Sequence, residues 1–283
     1  GNDGSGVATQ QNAALDFTQE PQVPIFAKTT GAIVTAVNAQ QDWFRVGGNE
    51  RNAGAEQYFE LAQGVGALGA NTLLAANGLT PSATGWLLTL DNTATDSLEL
   101  TQGIVLGSAK SFLTSTSPAF YARAAFLIGT RANLTHLGFG FRKLIAYATA
   151  STSAEWATAY DDKAMIGVKD NAGALATRTS LAGVDVDTAM AHAAAANGDI
   201  LAFEVSVGPA GATTYKIGTA TPAGSTAAQT QAAVVAAYAN LAADASAVAF
   251  TFAASTVVVP SIIIGASGAG APDTKLVNYY CGY

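Results

Sequence analysis

The chain has 283 residues, a formal net charge of −7 and 12% charged residues against 49% hydrophobic ones. The acidic balance, without any basic run, disfavours direct binding of nucleic acid, whose phosphates require clustered lysine and arginine. No purely apolar run of about 18 residues is present, so the sequence predicts no membrane span. The only cysteine is Cys281, which excludes a disulfide bond within these residues.

The first residues, 1–24, differ from the rest of the chain. They are polar, rich in glycine and glutamine, lack periodicity and contain two prolines near their end. This composition predicts an extended N-terminal arm, followed by one β-sandwich over residues 25–283. Apolar residues along the arm are candidate anchors on a neighbouring subunit: Val7, Leu15, Phe17 and Val23. A disordered tail is the alternative.

Period-two alternation of apolar and polar residues predicts β-strands along much of the remaining chain. The clearest stretches are 120–128 (FYARAAFLI), 137–143 (LGFGFRK) and 200–207 (ILAFEVSV). Further strands are predicted at 31–38, 42–46, 86–90, 98–100, 163–169, 213–218, 248–252, 256–264 and 274–281, with 62–85 as loop. Side chains on the apolar faces are predicted to form the core: Phe126, Phe139, Phe203 and Val205. Many short strands separated by polar loops predict an all-β sandwich or barrel.

Two segments carry helical signals. Residues 187–196 (DTAMAHAAAA) begin with an aspartate cap and end before Asn197-Gly198, and residues 226–242 place Val234, Tyr238 and Leu241 on one stripe. Both are predicted to be helices inserted between strands.

Residues suited to metal chemistry are few. His136 and His192 lie far apart and form no spaced ligand set with Cys281, so no zinc site is expected. Asp185 and Asp187 offer oxygen ligands for calcium, against the simpler interpretation of a solvated loop with Asp187 as a helix cap. The sequence predicts no metal and no cofactor.

Catalytic groups are equally sparse. A glycosidase requires two carboxylates across a cleft, for which Asp162 and Glu204 are the candidates. Asp162 also suits the turn that Asp161-Asp162 would make before a strand, and Glu204 suits the polar face of its strand. No Gly-x-Ser-x-Gly motif is present. We therefore predict that the chain is not an enzyme.

Aromatic side chains provide candidates for ligand binding, since sugars stack on them. Trp156 lies in a predicted loop (STSAEWATAY) and is the strongest candidate, with Tyr160 and Asp162 beside it. Trp43 and Trp86 fall in strand-like contexts and are predicted to be core.

The order of the strand segments resembles that of concanavalin A-like (laminin-G type) jelly-roll sandwiches of bacteriophage structural proteins. The segments are FYARAAFLIG, LGFGFRK, YDDKAMIGVKD, NGDILAFEVSVG with TTYKIGTA, VVVPSIIIGA and KLVNYYCGY. The resemblance implies a jelly-roll fold and a place in a virion. The Glu-x-Asp-x-x-Glu strand motif of glucanases of this fold and the metal loop of its lectins are both absent, which favours a scaffold.

The resulting hypothesis is a non-enzymatic virion structural protein, a capsid decoration or head-fibre component. Its expected partners are other virion proteins, such as the major capsid protein, and further copies of itself in a homo-oligomer. Three alternatives stay open: a phage tail component, a carbohydrate-binding module or adhesin for a cell-surface glycan, and a glycoside hydrolase or lyase.

Overall fold

The computed structural model describes residues 60–62, 78–90, 97–101, 111–115, 117–145 and 160–283. The chain divides into two units, Gly1–Asp42 and Trp43–Tyr283, and all described residues belong to the second. Several predictions fall outside the described residues and stay predictions: the arm with its four anchors, the strands at 31–38 and 42–46, Trp43 and Trp156.

The described elements are almost all strands. In chain order they are β1 (Glu60–Ala62), β2 (Gly78–Ser82), β3 (Gly85–Thr89), β4 (Ser97–Thr101), β5 (Phe112–Leu113), β6 (Phe120–Leu127), a 3-10 turn (Arg131–Asn133), β7 (Leu134–Lys143), β8 (Lys163–Val168), β9 (Leu175–Leu181), β10 (Val184–Ala189), β11 (Ile200–Val207), β12 (Thr213–Ala220), helix α1 (Ala227–Ala239), β13 (Ala242–Ala243), β14 (Val257–Ala266) and β15 (Lys275–Gly282).

The strands form two antiparallel sheets. Sheet A has the order β1-β4-β14-β7-β8-β9-β10, with β5 also paired to β14, and sheet B has the order β13-β12-β11-β6-β15-β3-β2. The last two strands of the chain lie inside the sheets, with β14 between β4 and β7 and β15 between β6 and β3. The predicted all-β jelly-roll sandwich is confirmed.

The core lies between the two sheets, because inward positions of the strands carry the large apolar side chains. Phe126, Phe139, Phe203 and Val205 are all 0% exposed, as predicted. The ring of Phe126 lies 6.2 Å from that of Phe139 and 6.0 Å from that of Phe203, measured between centroids. Trp86 is also buried. Period-two alternation therefore assigned the inward faces correctly.

The predicted helix at 226–242 is confirmed as α1. Its N-terminus is closed by a capping box, in which the Thr226 hydroxyl accepts from the Gln229 amide and the Gln229 side chain accepts from the Thr226 amide. The helix packs Val234 and two alanines on the outer face of sheet B. Gly218 permits this close approach, since a Cβ there would collide with the carbonyl of Ala237.

Three other expectations are wrong. Residues 187–196 do not form a helix: Asp187 lies in β10, and β10 is held by six register pairs to β9. Tertiary pairing here overrides the helical propensity of an alanine-rich segment. Residues 248–252 contribute one isolated bridge, from Thr251 to Ala212, instead of a strand. The predicted loop at 62–85 contains β2.

Candidate functional site

Polar and charged side chains of the sandwich project from the outer faces of the sheets, because the inward positions are occupied by the core. On sheet B, helix α1 covers one half of the outer face, against Ala125, Ile200 and Ala202. The other half carries a group of polar side chains that we call the sheet B patch: Tyr121, Arg123, Glu204, Ser206 and Lys216.

Strand register builds the centre of the sheet B patch. Glu204 on β11 lies opposite Arg123 on β6 and opposite Lys216 on β12, so the three side chains form one row across three strands. The Glu204 carboxylate pairs with Nε of Arg123 on one side and with Nζ of Lys216, at 2.8 Å, on the other. Cross-strand pairs of opposite charge hold side chains in defined positions.

The exposure of these groups differs sharply. The Glu204 side chain is 4% exposed, whereas the side chains of Arg123 and Lys216 are 34% and 41% exposed. The accessible charge of the patch is therefore positive, with the carboxylate beneath it. The guanidinium carbon of Arg123 lies 5.3 Å from the centre of the Tyr121 ring, and Tyr121 and Ser206 are half-buried beside the row.

The environment of Glu204 keeps it ionised. Burial by itself would raise the pKa of Glu204, but hydrogen bonds from Lys216 and Arg123, together with their charges, outweigh it and lower the pKa below its usual value. A catalytic acid requires a raised pKa so that it holds a proton near neutrality. Glu204 is thus suited to organise its neighbours and unsuited to donate a proton.

The outer face of sheet A carries a second polar network, which is buried. Glu99 accepts hydrogen bonds from Nε of Arg142 at 2.6 Å, from the Ser261 hydroxyl at 2.8 Å and from the Tyr160 hydroxyl. The Arg142 guanidinium also lies 4.2 Å from the centre of the Tyr160 ring. Arg142 is 0% and Tyr160 is 2% exposed. Both the hydroxyl and the ring of Tyr160 thus have partners within the chain.

Next to this network, two aspartates of β10 meet two buried cations. Lys163 pairs with Asp185, and Arg178 lies between Asp185, at 3.5 Å, and Asp187, at 3.2 Å. Burial lowers the pKa of Lys163, and Asp185 offsets part of that effect. Instead of capping a helix, as the solvated-loop interpretation proposed, Asp187 takes part in these strand-to-strand ion pairs. No cluster of three or more histidine, cysteine, aspartate or glutamate side chains suited to a metal ion occurs in the described part of the chain.

The predicted site residues are distributed over different places. Asp162 immediately precedes β8, and its carboxylate pairs with Nζ of Lys143 at 2.9 Å and accepts from the amide of Ala182 at 3.1 Å. Asp162 therefore belongs to sheet A, while Glu204 projects from the outer face of sheet B. The two carboxylates do not flank a common cleft. The ligand roles of Trp156, Tyr160 and Asp162 stay predictions.

Sequence patterns alone did not reveal the sheet B patch. Arg123 and Glu204 each alternate with apolar residues in their strands, but they are 81 residues apart and only strand register brings them together. Lys216 lies in a predicted strand that carries no motif pointing to a site. The sequence places one charged residue at an outward position in each of three strands. These residues can be combined into one site only when the order of the strands in the sheet is known.

No protein-family model and no curated protein matches the chain, whereas solved structures do. Among the similar structures is a legume lectin-like domain from Entamoeba histolytica, with a TM-score of 0.47, 6% identity and coverage of 79% of this chain and 89% of that one. Another is a carbohydrate-binding module from Bacillus subtilis, with a TM-score of 0.40, 8% identity and coverage of 73% and 92%.

A third similar structure is an alginate lyase from Pseudomonas aeruginosa, with a TM-score of 0.43, 8% identity and coverage of 74% and 87%. Lectin-like, carbohydrate-binding and lyase domains thus occur among the structural neighbours. All three TM-scores lie below 0.5. Separately, no helix in the described ranges has the length and apolar character needed to cross a membrane.

Proposed function

We propose that the chain is a non-enzymatic binding module that recognises a carbohydrate through the sheet B patch. The observation that carries this proposal is the row Arg123–Glu204–Lys216, in which two half-exposed cations are held by one buried carboxylate beside a tyrosine ring. The chain has only 12% charged residues, so three of them in one row on the half of sheet B that α1 does not cover is a marked concentration.

Sugar recognition requires hydrogen-bonding groups in fixed positions and a flat apolar surface for the sugar ring. Ion pairing to Glu204 restrains Arg123 and Lys216 before a ligand arrives, which reduces the entropy lost on binding. Tyr121 offers a rigid ring with a polar end. Because the exposed charge is positive, we expect glycans that carry carboxylates to bind more tightly than neutral glycans.

Binding without catalysis is supported by the state of the carboxylates. Glu204, Glu99, Asp162 and Asp185 each pair with a cation of the chain, and Asp162 and Glu204 belong to different sheets. Glycoside hydrolysis requires two carboxyl groups within about 10 Å on either side of one bond. We expect no turnover on a panel of polysaccharides. Turnover that Glu204→Gln abolishes would contradict the non-enzymatic proposal.

A matched pair of lysine variants tests the location of the binding site. Lys216 and Lys143 both pair with a buried carboxylate, with side chains 41% and 43% exposed, but they lie on different sheets. After a glycan array identifies a ligand, Lys216→Ala should weaken its binding about tenfold, a loss of about 1.4 kcal/mol. Lys143→Ala should leave the affinity unchanged, and Arg123→Lys should bind less well than the parent because it loses the planar guanidinium.

Two results would contradict the glycan proposal. The first is an array on which the folded chain binds no glycan, neutral or acidic. The second is equal weakening by Lys216→Ala and Lys143→Ala, which would place the site away from the sheet B patch. Circular dichroism of each variant confirms that its sheets are intact.

A second proposed function is the structural role in a bacteriophage virion, as a capsid decoration, head-fibre or tail component. Its support is the low charge content together with exposed aliphatic side chains at one edge of sheet A, which suit a surface buried against neighbours. Electron microscopy of native particles labelled by an antibody against the chain tests this role. Particles without label, together with a monomeric chain at high concentration, would contradict it.

A further inference from the structure

The hairpin of β9 and β10 forms one end of sheet A. β10 pairs with β9 from Val184 opposite Leu181 to Ala189 opposite Ala176, and no strand among the described residues pairs with its other edge. The two turn residues, Ala182 and Gly183, have φ of 52° and 81°, as in a type I′ turn. The amide of Gly183 donates to the carbonyl of Asp161 at 3.2 Å, which anchors the turn to the start of β8.

One face of this hairpin is apolar and exposed. Leu181, Val184 and Val186 are 46%, 68% and 47% exposed. They are half of the six large apolar side chains that the described residues expose, and they are neighbours in one hairpin. Scattered apolar residues are normal on a surface, but a contiguous group marks an interaction site.

The outer edge of β10, which faces away from β9, also offers hydrogen-bonding groups. Leu181 and Val184 close a two-residue hairpin, so they form a hydrogen-bonded pair, and the pairs alternate from there. The backbone N–H and C=O groups of Asp185 and Asp187 therefore point away from β9. The strand contains no proline, lysine or bulge, and the charged residues that protect this edge from unspecific pairing are Asp185 and Asp187.

Charge at this edge selects among partner strands. The side chains of Asp185 and Asp187 are 21% and 42% exposed, while Lys163 and Arg178 behind them are 0% and 6% exposed. An approaching strand therefore meets carboxylates first. Pairing with β10 of a second copy would set aspartate opposite aspartate, which is unfavourable.

A segment with an acidic residue between two apolar ones suits this edge no better, and residues 15–17 have that sequence pattern. Asp16 separates Leu15 from Phe17. If those two apolar residues lay on the apolar face of the hairpin, Asp16 would fall on the face that carries Asp185 and Asp187. A strand that satisfies both faces alternates apolar residues with cations.

We propose that the outer edge of β10 is a docking site for an extended segment of another protein in which apolar residues alternate with lysine or arginine. The segment adds to sheet A as a further strand and bonds to the backbone of Asp185 and Asp187. Its apolar side chains cover Val184 and Val186, and its cations face the two aspartates. This inference does not depend on glycan binding, which is assigned to the opposite sheet.

Three labelled peptides of equal length test the proposal by fluorescence polarisation with the full chain. One alternates valine and lysine, one alternates valine and glutamate, and one is the valine–lysine peptide with alternate backbone amides methylated. The valine–lysine peptide should bind at least tenfold more tightly than the glutamate peptide. The methylated peptide should not bind, because it cannot form the strand-to-strand hydrogen bonds.

Variants locate the site. Val184→Asp should weaken binding of the valine–lysine peptide at least tenfold. Val248→Asp, at a 54% exposed position outside the hairpin, should leave the affinity for this peptide unchanged. Asp187→Lys should reduce the preference for lysine over glutamate peptides. The proposal is overturned if no peptide binds, if the lysine and glutamate peptides bind equally, or if Val184→Asp and Val248→Asp have the same effect.

Discussion

Replacement of His136 should change the way in which the stability of the fold depends on pH. His136 lies on β7, is 1% exposed, and finds no hydrogen-bond partner at either ring nitrogen among the residues that the structure describes. Its imidazole lies against Gly265, where a Cβ would collide with the ring. Burial, assisted by the charge of Arg178, lowers the pKa of His136 from 6.5 to about 3.

The size of the effect follows from the linkage between proton binding and the free energy of unfolding. In the unfolded chain the imidazole takes up a proton as the pH falls through 6.5, whereas in the folded chain it stays neutral down to about pH 3. Between these values the unfolded state binds more protons, so the free energy of unfolding falls as the pH falls. At about 1.4 kcal/mol per pH unit, the loss at about pH 4.5 is roughly 3 kcal/mol.

Urea unfolding followed by circular dichroism measures this loss at about pH 7.5 and about pH 4.5. His136→Phe takes up no proton and removes two unpartnered polar atoms, so it should lose roughly 3 kcal/mol less than the parent chain on acidification. His136→Leu is a smaller replacement with the same expectation. His192→Phe, at a partly exposed position, is the control and should follow the parent. Identical losses in the parent chain and both His136 variants would refute the reasoning.

Three further predictions address packing, turn geometry and assembly. Phe139→Ala should lower the free energy of unfolding by about 3–5 kcal/mol in urea titration, because Phe139 is 0% exposed at the centre of the core; a loss below about 1 kcal/mol would contradict that placement. Ala182→Asn should raise thermal stability by about 0.5–1 kcal/mol, since asparagine tolerates the positive φ of this turn residue better than alanine, and a lowered melting temperature would count against a type I′ turn. Deletion of residues 1–20 should leave the melting temperature nearly unchanged while weakening self-association in analytical ultracentrifugation, and an unfolded truncated chain would show that the arm is an integral part of the sandwich.

Several features of this protein followed from its sequence. Alternation identified the inward faces of β6, β7 and β11, because the side-chain period of a strand requires no knowledge of its neighbours. Phe126 and Phe203 could therefore be assigned to one core before any pairing was known. Helix α1 was likewise predicted from a local pattern, the spacing that places Val234, Tyr238 and Leu241 on one stripe.

Features that depend on contacts distant in sequence needed the tertiary structure. The segment that begins at Asp187 has the local sequence signals of a helix, yet Asp187, Thr188 and Ala189 pair with β9 as a strand. The hydrogen bonds and packing of this strand pairing outweigh the weak helix propensity of the segment. Glu204 seemed to be a solvated residue or one half of a catalytic pair. Only the placement of β6 and β12 on either side of β11 surrounds it with Arg123 and Lys216. The alternation of residues along each strand thus determined which side chains face outward, and the order of the strands decided which of them meet.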